Sequence, residues 1–162
     1  MQRVRIQQED FDLGEVCRSL TQGDARVGAV CSFVGLVRDR GDLQGVSVLE
    51  LEHYPGMTER AIEAIIDQAL QRFEVFNAHV IHRVGQLGLC EQIVWVGVSS
   101  AHRGQAYQAC EFIMDYLKTQ APFWKKEHTA DGQAQWVDAR ASDDAALARW
   151  VPAPTASQAD PG

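Results

Sequence analysis

The sequence predicts an α+β fold with a mainly antiparallel sheet and helices packed on it. Segments with apolar residues at helical spacing alternate with shorter strand-like runs, in the order α, β, β, α, β, β, α, β. Neighbouring strands are joined by the short segments 39–45 and 85–92. Short connections favour antiparallel hairpins over a wound parallel sheet, which indicates the α+β class.

Three segments have apolar residues at helical spacing: 12–22, 58–73 and 103–119. Asp12 is a suitable N-cap for the first helix, and Thr58, which follows Pro55-Gly56, is a suitable N-cap for the second. Pro122 cannot continue the third helix, which predicts that it ends before this residue.

Five segments are predicted to be strands: 27–37, 46–54, 79–84, 93–99 and 135–139. Residues 1–150 are therefore predicted to form a single domain. Residues 151–162 contain three prolines and almost no large apolar side chain, which predicts a disordered C-terminal tail.

The composition excludes several classes of function. The chain carries 22 acidic and 15 basic residues, for a net charge of -7, and this argues against sequence-independent binding of nucleic acid. No apolar run is long enough to cross a bilayer, and the N-terminus lacks the apolar core of a signal peptide. We therefore expect a cytoplasmic protein with no membrane partner.

The cysteines and histidines do not predict a metal site. The four cysteines lack C-x-x-C pairing, and the histidines lack H-x-x-x-H or H-E-x-x-H spacing. We expect reduced thiols that serve as packing residues, and no bound metal.

The basic residues are distributed unusually, because the only three lysines, Lys118, Lys125 and Lys126, lie within nine positions. Lysines beside a helix end or in a short run are often only dipole compensation or a solvated face. If they converge instead, they form a cationic pocket for a small anion. A second candidate anion site is the segment from Ser99 to Arg103 at a predicted helix start, where serine capping is the alternative interpretation.

Several longer motifs extend this pattern over residues 27–140. They are Gly35-Leu36-Val37-Arg38, Leu51-Glu52-His53-Tyr54-Pro55-Gly56-Met57-Thr58, Val80-Ile81-His82-Arg83-Val84-Gly85, Ser100-Ala101-His102-Arg103, Ala121-Pro122-Phe123-Trp124-Lys125-Lys126 and Trp136-Val137-Asp138-Ala139-Arg140. In order and spacing the chain resembles the large, catalytic subunit of molybdopterin synthase.

This resemblance implies a fold of the α/β-hammerhead type and a sulfurtransferase. The family forms a homodimer within a heterotetramer, in which each end binds a small ubiquitin-like sulfur carrier subunit. The carrier's thiocarboxylated Gly-Gly terminus donates two sulfurs to cyclic pyranopterin monophosphate, which forms the dithiolene of molybdopterin for molybdenum cofactor biosynthesis. No permanently bound cofactor is implied.

The resemblance also implies roles for individual residues. Lys118 and Lys125 match the catalytic positions. Substrate contacts are implied for Leu36, Val37, Arg38, His102, Arg103, Lys118, Lys125, Lys126, Glu127 and Arg140, the last reaching across the dimer. Leu36 stands where many relatives have lysine, so one positive charge is absent beside Arg38.

Two other functions are compatible with a cationic pocket. One is a non-catalytic module that binds a ubiquitin-like tail or a phosphate. The other is an enzyme whose lysine forms a Schiff base with a carbonyl substrate.

Overall fold

The computed structural model describes residues 2–39, 45–137 and 141–150. Its elements are β1 (Val4–Gln7), α1 (Leu13–Ser19), β2 (Ala29–Leu36), β3 (Val46–His53), α2 (Met57–Arg72), β4 (Asn77–Arg83), β5 (Gly85–Gly88), β6 (Gln92–Ser100), α3 (Arg103–Gln120), β7 (Phe123–Thr129), β8 (Ala134–Val137) and α4 (Ala141–Ala148). The predicted α+β class is confirmed. The elements that the sequence did not predict are β1, β5, β7 and α4.

The strands form two four-stranded sheets, with the orders β1-β4-β6-β2 and β5-β3-β7-β8. Pairing is antiparallel except between β1 and β4. The hairpin predicted across residues 39–45 is wrong, because β2 pairs with β6 while β3 pairs with β5 and β7. Leu49 and Leu51 of β3 instead pack with Leu87 of β5 and with Val37, in a cluster separate from the main core.

The first sheet is covered on both faces. Helices α2 and α3 pack on one face and contribute Ile62, Ile66, Phe112 and Ile113 to the main core, all essentially inaccessible to solvent. Helix α1 covers the opposite face, where Trp95 of β6 is fully buried. Helix α3 follows β6 and returns antiparallel to it. Its start carries Arg103 and its end carries Lys118, two of the predicted site residues.

Trp150 closes the end of the core. Its ring packs edge-on against Phe73 and Phe112, and its indole N–H donates to the Asp115 carboxylate at 2.6 Å. Helix α4 and Trp150 therefore pack against α3. The predicted tail, residues 151–162, lies outside the described residues. Within the described part of the chain, no helix is both long and apolar enough to span a membrane.

Candidate active site

Lys125 lies in the middle of the second sheet and is half-buried. It pairs with Leu51 of β3 on one side and with Val137 of β8 on the other. Side chains alternate along a strand, so Phe123 and Lys125 share the face on which Leu51 is buried. The strand therefore holds the Lys125 side chain on the inner face of this sheet.

Lys118 reaches the same region from the last turn of α3, where it is exposed. A cation is favoured at a helix C-terminus because the unpaired carbonyls there carry partial negative charge. Only Ala121 and Pro122 separate α3 from β7, so the chain reverses tightly between the two lysines. This short connection brings Lys118 close to the sheet that carries Lys125.

His82 connects the two lysines. Its ring is buried and stacks on Phe123, with ring centroids 3.8 Å apart, and its Nδ1–H donates to the Arg83 carbonyl at 2.8 Å. Burial above all lowers the pKa of His82 to about 3; the hydrogen bond to Arg83 opposes this shift, while the charges of Lys125, Lys118 and His53 add to it. The imidazole is therefore neutral at physiological pH, and both lysines are near enough to influence it.

Thr58 does not cap α2 as predicted. The N-cap is Gly56, whose φ of 80° suits glycine, and Thr58 lies fully buried inside the first turn. The Thr58 hydroxyl accepts the Tyr54 N–H at 3.1 Å and can donate to the Tyr54 carbonyl at 3.0 Å or the Pro122 carbonyl at 3.2 Å. It thereby joins the start of α2 to the connection between α3 and β7.

The segment Leu36-Val37-Arg38 lies at the same end of the fold as the two lysines. Val37 is buried against Leu51, and its backbone bonds to the Glu91 carbonyl and the Cys90 N–H at 2.9 and 2.8 Å. Arg38 follows directly and is exposed, as is Leu36. Arg38 therefore stays a predicted contact next to the buried Val37.

Lys126 faces away from Lys125, because neighbouring strand residues project to opposite faces. Its Nζ lies 5.4 Å from the centre of the Trp136 ring on the outer face, opposite Glu50 of β3. Glu127, in contrast, is buried on the same face as Lys125. Of the predicted substrate contacts Lys126 and Glu127, only Glu127 lies on the same face of the sheet as Lys125 within one chain. Arg140 lies outside the described residues.

His102 and Arg103 lie at the opposite end of α3 from Lys118, and both are exposed. Fifteen residues of α-helix separate Arg103 from Lys118, which corresponds to about 22 Å. Ser100 does not cap α3; its hydroxyl donates to the Glu74 carbonyl at 2.9 Å and accepts the His102 N–H at 3.3 Å. Within a single chain, the two predicted anion-binding segments therefore lie far apart.

Comparisons with known proteins agree with the motifs. The family model described as MoaE protein matches residues 6–120. The molybdopterin synthase catalytic subunit of Ralstonia nicotianae is 59% identical over 150 residues, which cover 93% of this chain and 85% of that protein. The chain belongs to the MoaE family.

Solved structures of MoaE proteins share the fold. The molybdopterin biosynthesis MoaE protein of Burkholderia ambifaria is 52% identical, with a TM-score of 0.78, covering 93% of this chain and 98% of that one. Molybdopterin synthase from Staphylococcus aureus is 30% identical, with a TM-score of 0.77, covering 85% of this chain and 98% of that one. The prediction of a molybdopterin synthase catalytic subunit, a sulfurtransferase, is confirmed at the level of the family.

The MoaE family assignment leaves several polar residues of the site without a role from sequence reasoning. His82, His53 and Thr58 belong to motifs that carried the resemblance, and Glu59 follows one of them. Spacing alone predicted only a cap for Thr58. Only the tertiary structure brings these residues together, so no local sequence pattern could identify them as a group. No group of His, Cys, Asp and Glu side chains that could hold a metal ion occurs among the described residues.

Proposed function

We propose that this chain transfers two sulfur atoms from the thiocarboxylated C-terminus of a small ubiquitin-like carrier subunit to cyclic pyranopterin monophosphate, forming the dithiolene of molybdopterin. The observation that carries the proposal is that Lys118 and Lys125, from two different elements, both act electrostatically on the buried His82. Both reactants are anions, and this cationic site lies on a body with a net charge of -7. Opposite charge therefore directs both reactants to one place on the surface.

The two lysines have different surroundings, which supports different roles. Lys118 is exposed at a helix end and is available to meet the incoming glycine carboxyl group. Lys125 is half-buried in a sheet, where electrostatic interactions are stronger than in water, and it stabilises charge on the substrate or assists proton transfer. Arg38 adds a third cation at this end of the fold.

We propose that a second copy of the chain supplies His102 and Arg103 to the same site. Strand β2 is an edge strand with the exposed apolar residues Val30 and Phe33. Antiparallel pairing of two β2 edges about a two-fold axis places the start of one strand beside the end of the other. Because His102 follows the strand paired with the start of β2, that arrangement brings it towards the partner's lysine end.

The proposed assembly is a homodimer with one carrier subunit at each end, which makes a heterotetramer. Lys126, on the outer face, is a candidate contact for the carrier body, while Glu127 faces the pocket. Leu36 and Val37 shape the wall of the pocket, and Arg140 stays a predicted contact across the dimer.

The pterin and the sulfur both arrive as substrates, so we propose no resident cofactor. We place the reaction in the cytoplasm, without nucleic acid or membrane partners.

Reconstitution tests this function. The purified chain is incubated with the thiocarboxylated carrier and cyclic pyranopterin monophosphate, and molybdopterin is measured by mass spectrometry. We expect product with two sulfurs per pterin, and no product when the carrier lacks its terminal Gly-Gly. Binding of the carrier tail without any product would overturn the proposal and favour the non-catalytic binding module.

A further inference from the structure

His53, the last residue of β3, forms an acid–imidazole pair at the edge of the lysine site. Its Nε2 lies 3.8 Å from Glu59 Oε1, and the His53 side chain is only 20% exposed. The other oxygen, Glu59 Oε2, is buried and has no hydrogen-bond partner among the described residues. At this separation the two groups form an ion pair when the ring is charged, so the carboxylate can compensate positive charge that the ring gains.

Strand geometry places this pair at the lysine site. His53 is opposite Phe123, and Leu51 is opposite Lys125, so His53 and Lys125 are diagonal neighbours on the inner face. Diagonal neighbours lie about 7–8 Å apart, which is within reach of a long side chain such as lysine. Glu59 from α2 lies beside His53, and the buried Glu127 of β7 shares the inner face. His53, Lys118 and Lys125 all act electrostatically on His82 of β4.

The proposed function requires a proton acceptor at this place. When the carrier's sulfur attacks a substrate carbon, the carbon–oxygen bond at that carbon breaks and the oxygen leaves with its electron pair. The carrier carbonyl is then joined to the substrate through a thioester. Release then needs a water oxygen to attack the carbonyl carbon, while the carbon–sulfur bond breaks and its electron pair leaves on the substrate sulfur. The carrier ends as a carboxylate, and the attacking water must give up a proton.

The neighbouring side chains are poor acceptors for this proton. A charged lysine ammonium has three N–H donors and no lone pair. The buried His82 donates its Nδ1–H to the Arg83 carbonyl, and its lowered pKa makes it a weak base. Besides His82, His53 is the imidazole that this chain itself places at the site, and Glu59 lies close enough to compensate the positive charge that the ring gains.

We propose that His53 is the general base that accepts the proton from this water, with Glu59 as a positioning residue that stabilises the imidazolium. This inference rests on the proposed function. The proton is then returned to the substrate thiolate or to solvent, so each cycle restores the neutral ring.

The chain offers a matched control for the test. His128 and Glu50 form a second acid–imidazole pair, at 2.8 Å, on the same two strands. Because Glu50 is opposite Lys126, this pair lies on the outer face, away from the lysine site. The variants His53→Gln and His128→Gln thus remove equivalent groups from opposite faces of one sheet.

Single-turnover reactions with thiocarboxylated carrier and cyclic pyranopterin monophosphate separate the outcomes. We expect His53→Gln to slow product formation by about 10²-fold or more, as is typical for loss of a general base. The carrier–substrate thioester should then accumulate, visible by intact-mass spectrometry and cleaved by hydroxylamine. The wild-type rate should rise with pH, and the rate of His53→Gln should lose this dependence. Glu59→Gln should also slow the reaction and accumulate thioester.

His128→Gln should behave as the wild-type protein does. Wild-type-like turnover in His53→Gln, or slow turnover without thioester and with an unchanged pH profile, would overturn the role of His53. If His53→Gln does not fold, Glu59→Gln decides, and turnover of that variant at the wild-type rate without accumulated thioester overturns the proposal. A wild-type protein that makes no product would instead overturn the proposed function itself.

Discussion

Replacing the buried His82 tests the electrostatic picture of the site through stability. The pKa of His82 is lowered from 6.5 to about 3 by burial first and then by Lys125, Lys118 and His53. The neutral ring is favoured in the fold, so its contribution is fully present above pH 6.5 and is lost as pH falls towards 3. At pH 5 the unfolded chain binds a proton that the folded chain does not.

The size of this loss follows from the unfolded pKa alone, because the folded pKa lies well below 5. The unfolded pKa of 6.5 lies about 1.5 units above pH 5, and at roughly 1.36 kcal/mol per unit this gives about 2 kcal/mol. The variant His82→Phe keeps a flat ring against Phe123 and cannot titrate. All other groups titrate alike in both proteins and cancel in the comparison.

Urea unfolding at about pH 7.5 and pH 5 measures the effect. The free energy of unfolding of His82→Phe minus that of wild type is compared at the two pH values. This difference should be about 2 kcal/mol larger at pH 5 than at pH 7.5. A difference that stays the same at both pH values would show that the folded protein accepts a proton on His82. The assignment of a neutral imidazole between the lysines would then be wrong.

Three further predictions concern the same region. Lys118→Ala and Lys125→Ala should each nearly abolish molybdopterin formation while thermal unfolding and sedimentation stay unchanged; full activity in either variant contradicts the assigned roles. Lys126→Ala should retain most activity in the same assay, because its side chain faces outwards, and a loss equal to that of Lys125→Ala would place it in the pocket. Thr58→Val keeps the side-chain shape but leaves the Tyr54 N–H unpaired, so it should cost about 1–3 kcal/mol in urea unfolding. Thr58→Ser, which keeps the hydroxyl, should retain activity better, and equal activity losses would contradict a role for the hydrogen bonds.

Helices were predictable because their local signals agree with their packing. The apolar residues of α2 and α3 recur at helical spacing, and both helices form close to the predicted bounds. Strand β7 was missed because its sequence, Phe-Trp-Lys-Lys-Glu-His-Thr, lacks the usual alternation of apolar and polar residues. It forms between β3 and β8 because its backbone is paired on both sides, while its inner face carries Phe123, Lys125 and Glu127.

Sequence position indicated that the lysines matter but could not show how they are arranged. Lys118 and Lys125 converge because a two-residue connection reverses the chain between them. The separation of Lys125 from Lys126 becomes evident only when β7 is known to be a strand. His53 and His82 come from different sheets and meet through Phe123, a contact that no local pattern encodes.

The length of α3 has a genetic consequence. If each site combines Lys118 of one chain with Arg103 of the other, a Lys118→Ala chain and an Arg103→Ala chain are each inactive as homodimers. A mixed dimer has one site with both substitutions and one site with neither. The two inactive chains should therefore complement each other when co-expressed, and the rigid helix that separates the two residues is what makes that rescue possible.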